Sequence, residues 1–187
     1  WLPMENANRI TSPDVRRGEI VALYRFGDVD EFYWTTLLQD KRLRRLETVI
    51  FSFSNNSEEN IEDSPTTTYF LEVSTHKKLI HLHTSKNDKE PFTYDLQIKT
   101  KDGIVILTDD VDNYWFVDSK NTRIKLRNKD DSYVDMEKKK ITIHAPDRID
   151  MITKDFSLKA SKSATVETPT YTRKSTTDTL TTSNYSV

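Results

Sequence analysis

The chain has 187 residues, 35% hydrophobic and 31% charged, with 28 Lys and Arg against 30 Asp and Glu. A net charge of −2 removes the electrostatic case for a nucleic-acid partner, and the lack of cysteine excludes disulfides and thiolate metal sites. No run approaches the roughly 20 apolar residues that span a bilayer, and with no signal peptide and an opening on Trp1 instead of Met we expect an internal fragment of a longer protein.

Residues 1–65 read as a compact β module ending in a linker. "GEIVALYRF" (Gly18–Phe26) puts Ile20, Ala22, Tyr24 and Phe26 on one face at the strand period of two. "GDVDE" supplies a turn, and "FYWTTLL" (Phe32–Leu38) is a second strand rich in aromatic and β-branched residues. "QDKRLRRLETVIFSF" is expected to begin as a short helix, with Leu43 and Leu46 on one side, and to become extended at "ETVIFSF". The polar, acidic "SNNSEENIEDSP" (Ser54–Pro65) is expected to be a loop or linker.

Beyond Pro65 one strand-sized segment follows another: "TTYFLEVS", "KLIHLHTS", "FTYDLQIKT", "GIVILT", "NYWFVDS", "TRIKLRN", "SYVDME", "KITIHA", "RIDMIT", "FSLKAS", "ATVET". We read residues 66–102 as transition strands and 103–187 as a repeat. From Gly103, pairs of inward apolar residues are expected to start at Ile104, Tyr114, Ile124, Val134, Ile141, Ile149, Phe156 and Ala164, spaced 10, 10, 10, 7, 8, 7 and 8. No helical period fits, and a near-constant rung length is the signature of a stacked repeat. No glycine follows Gly103, so the turns must be made by Asn, Asp, Lys and Ser. The Thr- and Ser-rich end, "TPTYTRKSTTDTLTTSNYSV", is read as further thin rungs, with a disordered tail as the alternative.

Short rungs carrying two apolar residues cannot enclose a core alone. Burying one Ile or Leu is worth about 1.5–3 kcal/mol, whereas ordering every residue of the rung costs about 1.5 kcal/mol each. Three chains around one axis would close the core and remove exposed sheet edges. The expected trimer core is Ile104, Ile106, Ile124, Leu126, Val134, Met136, Ile141, Ile143, Ile149, Met151, Phe156, Leu158, Ala164 and Val166. Backbone hydrogen bonds are expected to run between chains along every rung.

Two parts of the chain resemble the central spike proteins of contractile injection systems: the cell-puncturing spikes of contractile-tailed bacteriophages and the valine-glycine-repeat spikes of type VI secretion. "WLPM…ITSPDVRRGEIVALYRFGDVDEFYW" (Trp1–Trp34) is similar to the second half of that family's OB-fold, through Pro13, Gly18, Glu19, Val21, Phe26–Asp28, Tyr33 and Trp34. The repeat tract is similar to its intertwined triple-stranded β-helix. The resemblance implies an all-β homotrimer with an OB-fold collar, located in the virion at the tail baseplate. It implies a rigid needle under the tail tube that pierces the host envelope, with hub and tube proteins, a tip-capping protein and the host outer membrane as partners. Nothing matches the lysozyme domain that some phage spikes carry, so no catalytic residue and no cofactor is expected. The alternative is a trimeric receptor-binding or polysaccharide-degrading tail fibre or tailspike; a monomeric OB-fold oligonucleotide binder is a third reading.

The chemistry-bearing candidates are few. His81 and His83 in "KLIHLH" share a strand face, and on a threefold axis they would present six imidazoles to an octahedral metal. Some spikes of the resembled family hold iron through such a His-x-His motif, so the pair is a weak metal candidate beside a bland strand-face reading. His76 and His144 stand alone. Asp109, Asp110 and Asp112 lack the glycine and the later Glu of a calcium loop and are read as a turn. Asp28, Asp30, Glu31, Glu58 and Glu59 are read as solvated loop residues, not glycosidase carboxylates. Lys41–Arg45 is read as a salt-bridged or hub-contacting surface, because no aromatics interleave with it. Tyr114, Trp115 and Phe116 are read as core or collar residues, not a sugar platform.

Overall fold

The computed structural model describes residues 1–3, 8–37, 46–56, 64, 66–87, 89–177 and 179. Every regular element among them is a strand, so the protein is all-β. The chain divides into two units, Trp1–Ile149 and Asp150–Val187.

In the first unit, β1 (Val21–Arg25) and β2 (Phe32–Thr36) form an antiparallel pair, with Leu23 opposite Trp34 and Tyr24 opposite Tyr33. Gly18 and Gly27 take φ values of 89° and 69° at the turns flanking β1, a conformation that costs L side chains about 1–2 kcal/mol. The Leu2 amide donates to the Trp34 carbonyl at 2.8 Å, so the opening Trp-Leu-Pro segment lies beside β2. Ala22 and Tyr24 are the less exposed residues of β1, as the alternation predicts, but Ile20 and Phe26 stay 61% and 58% exposed.

The remaining strands form one nine-stranded antiparallel meander. They are β3 (Thr48–Ser54), β4 (Thr68–Ser74), β5 (Leu79–His83), β6 (Tyr94–Lys99), β7 (Ile104–Asp109), β8 (Tyr114–Asp118), β9 (Arg123–Arg127), β10 (Tyr133–Glu137) and β11 (Lys140–His144). The sheet runs across residues 65 and 103 without changing character, and "ETVIFSF" is its first strand. Arg9 bridges to Phe51 along the edge of β3 away from β4, where the backbone of Asn8 and Ile10 hydrogen-bonds to Ser52 and Ile50. The expected short helix, the basic run Lys41–Arg45 and most of the expected linker lie outside the described residues.

Turns without glycine force other residues into the left-handed region. Lys78, Asp112, Thr122, Asp131 and Lys138 do so with φ of 59°, 69°, 54°, 63° and 53°, one in each connection from β4–β5 and β7–β8 through to β10–β11. Asp and Lys were expected at these turns; Thr122 is the surprise, because a β-branched side chain resists this backbone most strongly.

The second unit is different. All its described residues are exposed, and none belongs to a strand. "RIDMIT", "FSLKAS" and "ATVET", expected as rungs, therefore have no ladder within the chain among the described residues.

Candidate functional site

Register turns the nine-stranded sheet into two unlike faces. Successive side chains point to opposite faces, and the pairings align two apolar residues per strand on one of them. One row runs Val49, Val73, Ile80, Ile98, Val105, Val117, Ile124, Met136, Ile141, each directly opposite the next. The second runs Phe51, Leu71, Leu82, Leu96, Leu107, Trp115, Leu126, Val134, Ile143. Among the described residues no hydrophobic side chain is buried, and Leu126, Ile141 and Ile143 are 52%, 67% and 55% exposed. A contiguous apolar strip of this extent on a protein surface marks an interaction site.

Two sequence expectations change here. Ile104 and Ile106 stand on the opposite face from Ile124, Leu126, Val134, Met136, Ile141 and Ile143, so the strip takes Val105 and Leu107 from β7. Likewise it takes Trp115 and Val117 from β8, not Tyr114 and Phe116. Both faces of β7 are apolar, so alternation alone could not choose between them. The second change concerns hydrogen bonding. From Thr48 to His144 each strand pairs with its neighbours in the same chain, so the ladders between these strands are intrachain. Ile149, Met151, Phe156, Leu158 and Val166 are 48%, 66%, 67%, 73% and 71% exposed, and Ala164 is exposed too.

The other face is mixed: Ile104, Ile106 and Phe116 stand on it beside polar and charged side chains that pair with one another. Arg123 makes a two-pronged contact with Asp135, Nε to Oδ1 at 3.0 Å and Nη2 to Oδ2 at 2.5 Å. Those bonds hold the Asp135 carboxyl below its usual range and the guanidinium above its own. The Lys125 ammonium lies 4.5 Å from the centre of the Tyr133 ring, and His144 stacks on the same ring at 4.9 Å. Glu72 is buried and accepts a bond from Lys77 at 2.7 Å.

His81 and His83 sit on this mixed face, so they do not point with the apolar rows. β6 brings Asp95 opposite His83 and Gln97 opposite His81. Asp95 Oδ2 lies 2.5 Å from His81 Nε2 and 3.2 Å from His83 Nδ1, while Gln97 Nε2 donates to Oδ1 at 2.6 Å. Burial works against the Asp95 charge, but the hydrogen bonds of His81, Gln97 and His83 outweigh it and hold the carboxyl below its usual range. Phe70 packs its ring on both imidazoles, edge-on to His81 at 4.8 Å and near-parallel to His83 at 5.0 Å. Sequence reasoning missed Asp95, because its position depends on a register set across the connection from β5 to β6.

Four of the other candidates, Asp109, Asp110, Asp30 and Glu31, have structural partners. Asp109 Oδ1 accepts the amides of Val111 and Asn113 at 3.0 and 2.9 Å, and its Oδ2 accepts Asn113 Nδ2 at 2.6 Å. Burial opposes its charge, yet these bonds keep it below the usual carboxylate range. Asp110 binds Lys86 at 2.5 Å, Asp30 lies 3.4 Å from Arg25, and Glu31 accepts a bond from Tyr33 at 2.9 Å. His76 is an exposed residue in the β4–β5 turn. Glu58 and Glu59 lie outside the described residues.

The fold defines an all-β protein whose sheet carries two aligned apolar rows on one face. No protein-family model and no curated protein matches the chain.

Proposed function

We propose that the protein is a non-enzymatic, homotrimeric central spike of a contractile tail, in which three chains bring their apolar strips together around one axis. The observation that supports the assembly is the strip itself: two aligned rows over nine strands, with no hydrophobic side chain buried among the described residues. In this reading each β3–β11 meander supplies one wall of a three-sided prism, and the intertwined β-helix belongs to residues after Ile149. Mechanical stiffness then comes from intrachain ladders in the walls and interchain ladders in the second unit.

The step from trimer to spike rests on the resemblance of Trp1–Trp34 to the spike OB-fold. Consistent with it, Pro13 is buried, the turn at Arg16–Glu19 is closed by a 3.0 Å backbone bond, and β1 and β2 follow in the expected order. The collar would grip hub proteins of the baseplate, and the needle would meet the host outer membrane.

Light scattering on the purified chain is the test of assembly. The expected mass is three times the 21.9 kDa chain, retained in mild detergent; a monomer would overturn the proposal. Gold-labelled antibody on contractile-tailed particles tests the role. Label at the distal centre of the baseplate is expected, whereas label along the fibres would transfer the protein to the receptor-binding class.

A further inference from the structure

We propose that His81, His83 and Asp95 form a binding site for one zinc-class divalent metal ion per chain, held on the mixed face of the nine-stranded sheet. The site follows from two local rules. Alternation along β5 puts both imidazoles on one face two residues apart, and antiparallel register with β6 sets a carboxylate against them. One donor atom from each of the three residues lies within 4.8 Å of the other two.

Bond lengths of about 2.0–2.2 Å to a tetrahedral ion place neighbouring donors about 3.4 Å apart. His83 Nδ1 and Asp95 Oδ2 already stand at 3.2 Å. His81 Nε2 and Asp95 Oδ2, at 2.5 Å, share a hydrogen bond that the ion would replace, opening that edge by about 1 Å. Two imidazoles and one carboxylate are a borderline donor set that suits zinc, cobalt or iron(II) and not calcium or magnesium.

The surroundings are those of a supported site. Gln97 holds Oδ1 at 2.6 Å and leaves Oδ2 to face the imidazoles. Phe70 fixes the planes of both rings, at 89° to His81 and 22° to His83. The side chains keep 16%, 21% and 26% of their surface, and His81 lines a groove with Phe70, Glu72 and Ser52. A fourth position therefore opens to water or to a ligand donor. Because the three donors come from one chain and face away from the apolar rows, the ion does not need a threefold axis.

The test is calorimetric titration of the untagged, chelator-stripped full chain with zinc chloride, repeated with cobalt(II) chloride while visible absorption is recorded. Saturation at one ion per chain is expected, with the intense visible absorption of low-coordinate cobalt. His83→Ala and Asp95→Asn should each weaken binding about tenfold or more, since even outer-shell changes cost 10–100-fold. Asp95→Asn keeps the size and hydrogen-bonding reach of the side chain, and far-UV circular dichroism verifies its sheet. His76→Ala should bind as the parent does. No saturable binding would overturn the site and leave a hydrogen-bonded cluster. So would one ion per three chains, parental affinity in both ligand variants, or loss of binding in His76→Ala.

Discussion

Ile143→Asp separates an uncovered strip from a buried one. In the single chain Ile143 is 55% exposed, at the last strand of the sheet, with Val134 directly opposite. If that is its environment in solution, the change costs about 1 kcal/mol, the lost contact with Val134 plus poorer strand propensity. If three strips meet, each chain loses about 1.5–3 kcal/mol of burial and must desolvate a carboxylate at several kcal/mol more. Three like charges near one axis make that roughly 10 kcal/mol or more per trimer, comparable to a domain's whole stability. Ile143→Leu conserves volume and should cost under about 1.5 kcal/mol per chain. The assay is mass by light scattering alongside a thermal melt. We expect the Asp variant to run as monomer or aggregate and the Leu variant as trimer. A trimer of Ile143→Asp with an undisturbed melt would refute the inward placement of the whole second row.

Acid should destabilise the protein. Asp95, Asp109, Asp118 and Asp135 all have folded pKa values lowered below their ordinary ones. Depressed carboxylates contribute stability that is complete above the unfolded value of about 3.9 and lost as pH falls through the folded values. Melting temperature should thus hold from neutral pH to about 5 and fall below about 4; a flat profile down to the acid limit would contradict the pairings. Asp109→Ala removes the acceptor that organises the β7–β8 turn and should cost about 1 kcal/mol after allowance for solvent, read as a lower melt. Lys138→Gly relieves a φ of 53° in the two-residue β10–β11 connection and should raise stability by up to about 1 kcal/mol, partly offset by chain entropy. A lower melting temperature would show that the Lys138 side chain contributes more than its backbone costs.

The strands were legible where one face only is apolar. "TRIKLRN" offers Ile124 and Leu126 and nothing else, so its apolar face could be read directly, and the apolar pairs of β9, β10 and β11 share one face as expected. "GIVILT" and "NYWFVDS" are apolar on both faces, and there the period is silent. Only register settles them, by tracing from Ile124 back to Val117 and from Val117 back to Val105. The same reason hid Asp95. Two histidines two apart are a sequence signal, but a carboxylate brought from another strand is a product of pairing. The antiparallel meander was illegible for a related reason. A rung spacing of 7–10 residues fits a strand and a tight turn within one chain as well as it fits a rung of an intertwined helix.

The two units make different demands on a partner, and the proposal of three chains, not two, rests on the second. The meander has spent its backbone hydrogen bonds internally and asks only that an apolar face be covered, which two sheets packed face to face would satisfy. The described residues of the second unit have spent none on a ladder. Met151, Phe156, Leu158 and Val166 are exposed there, and a backbone taken from water into an assembly would need partners on both sides. Two such chains paired as a ribbon would satisfy one edge each and leave the outer edges open, a template for uncontrolled addition. Three chains around an axis give every strand two neighbours and close the set, with the apolar residues turned inward.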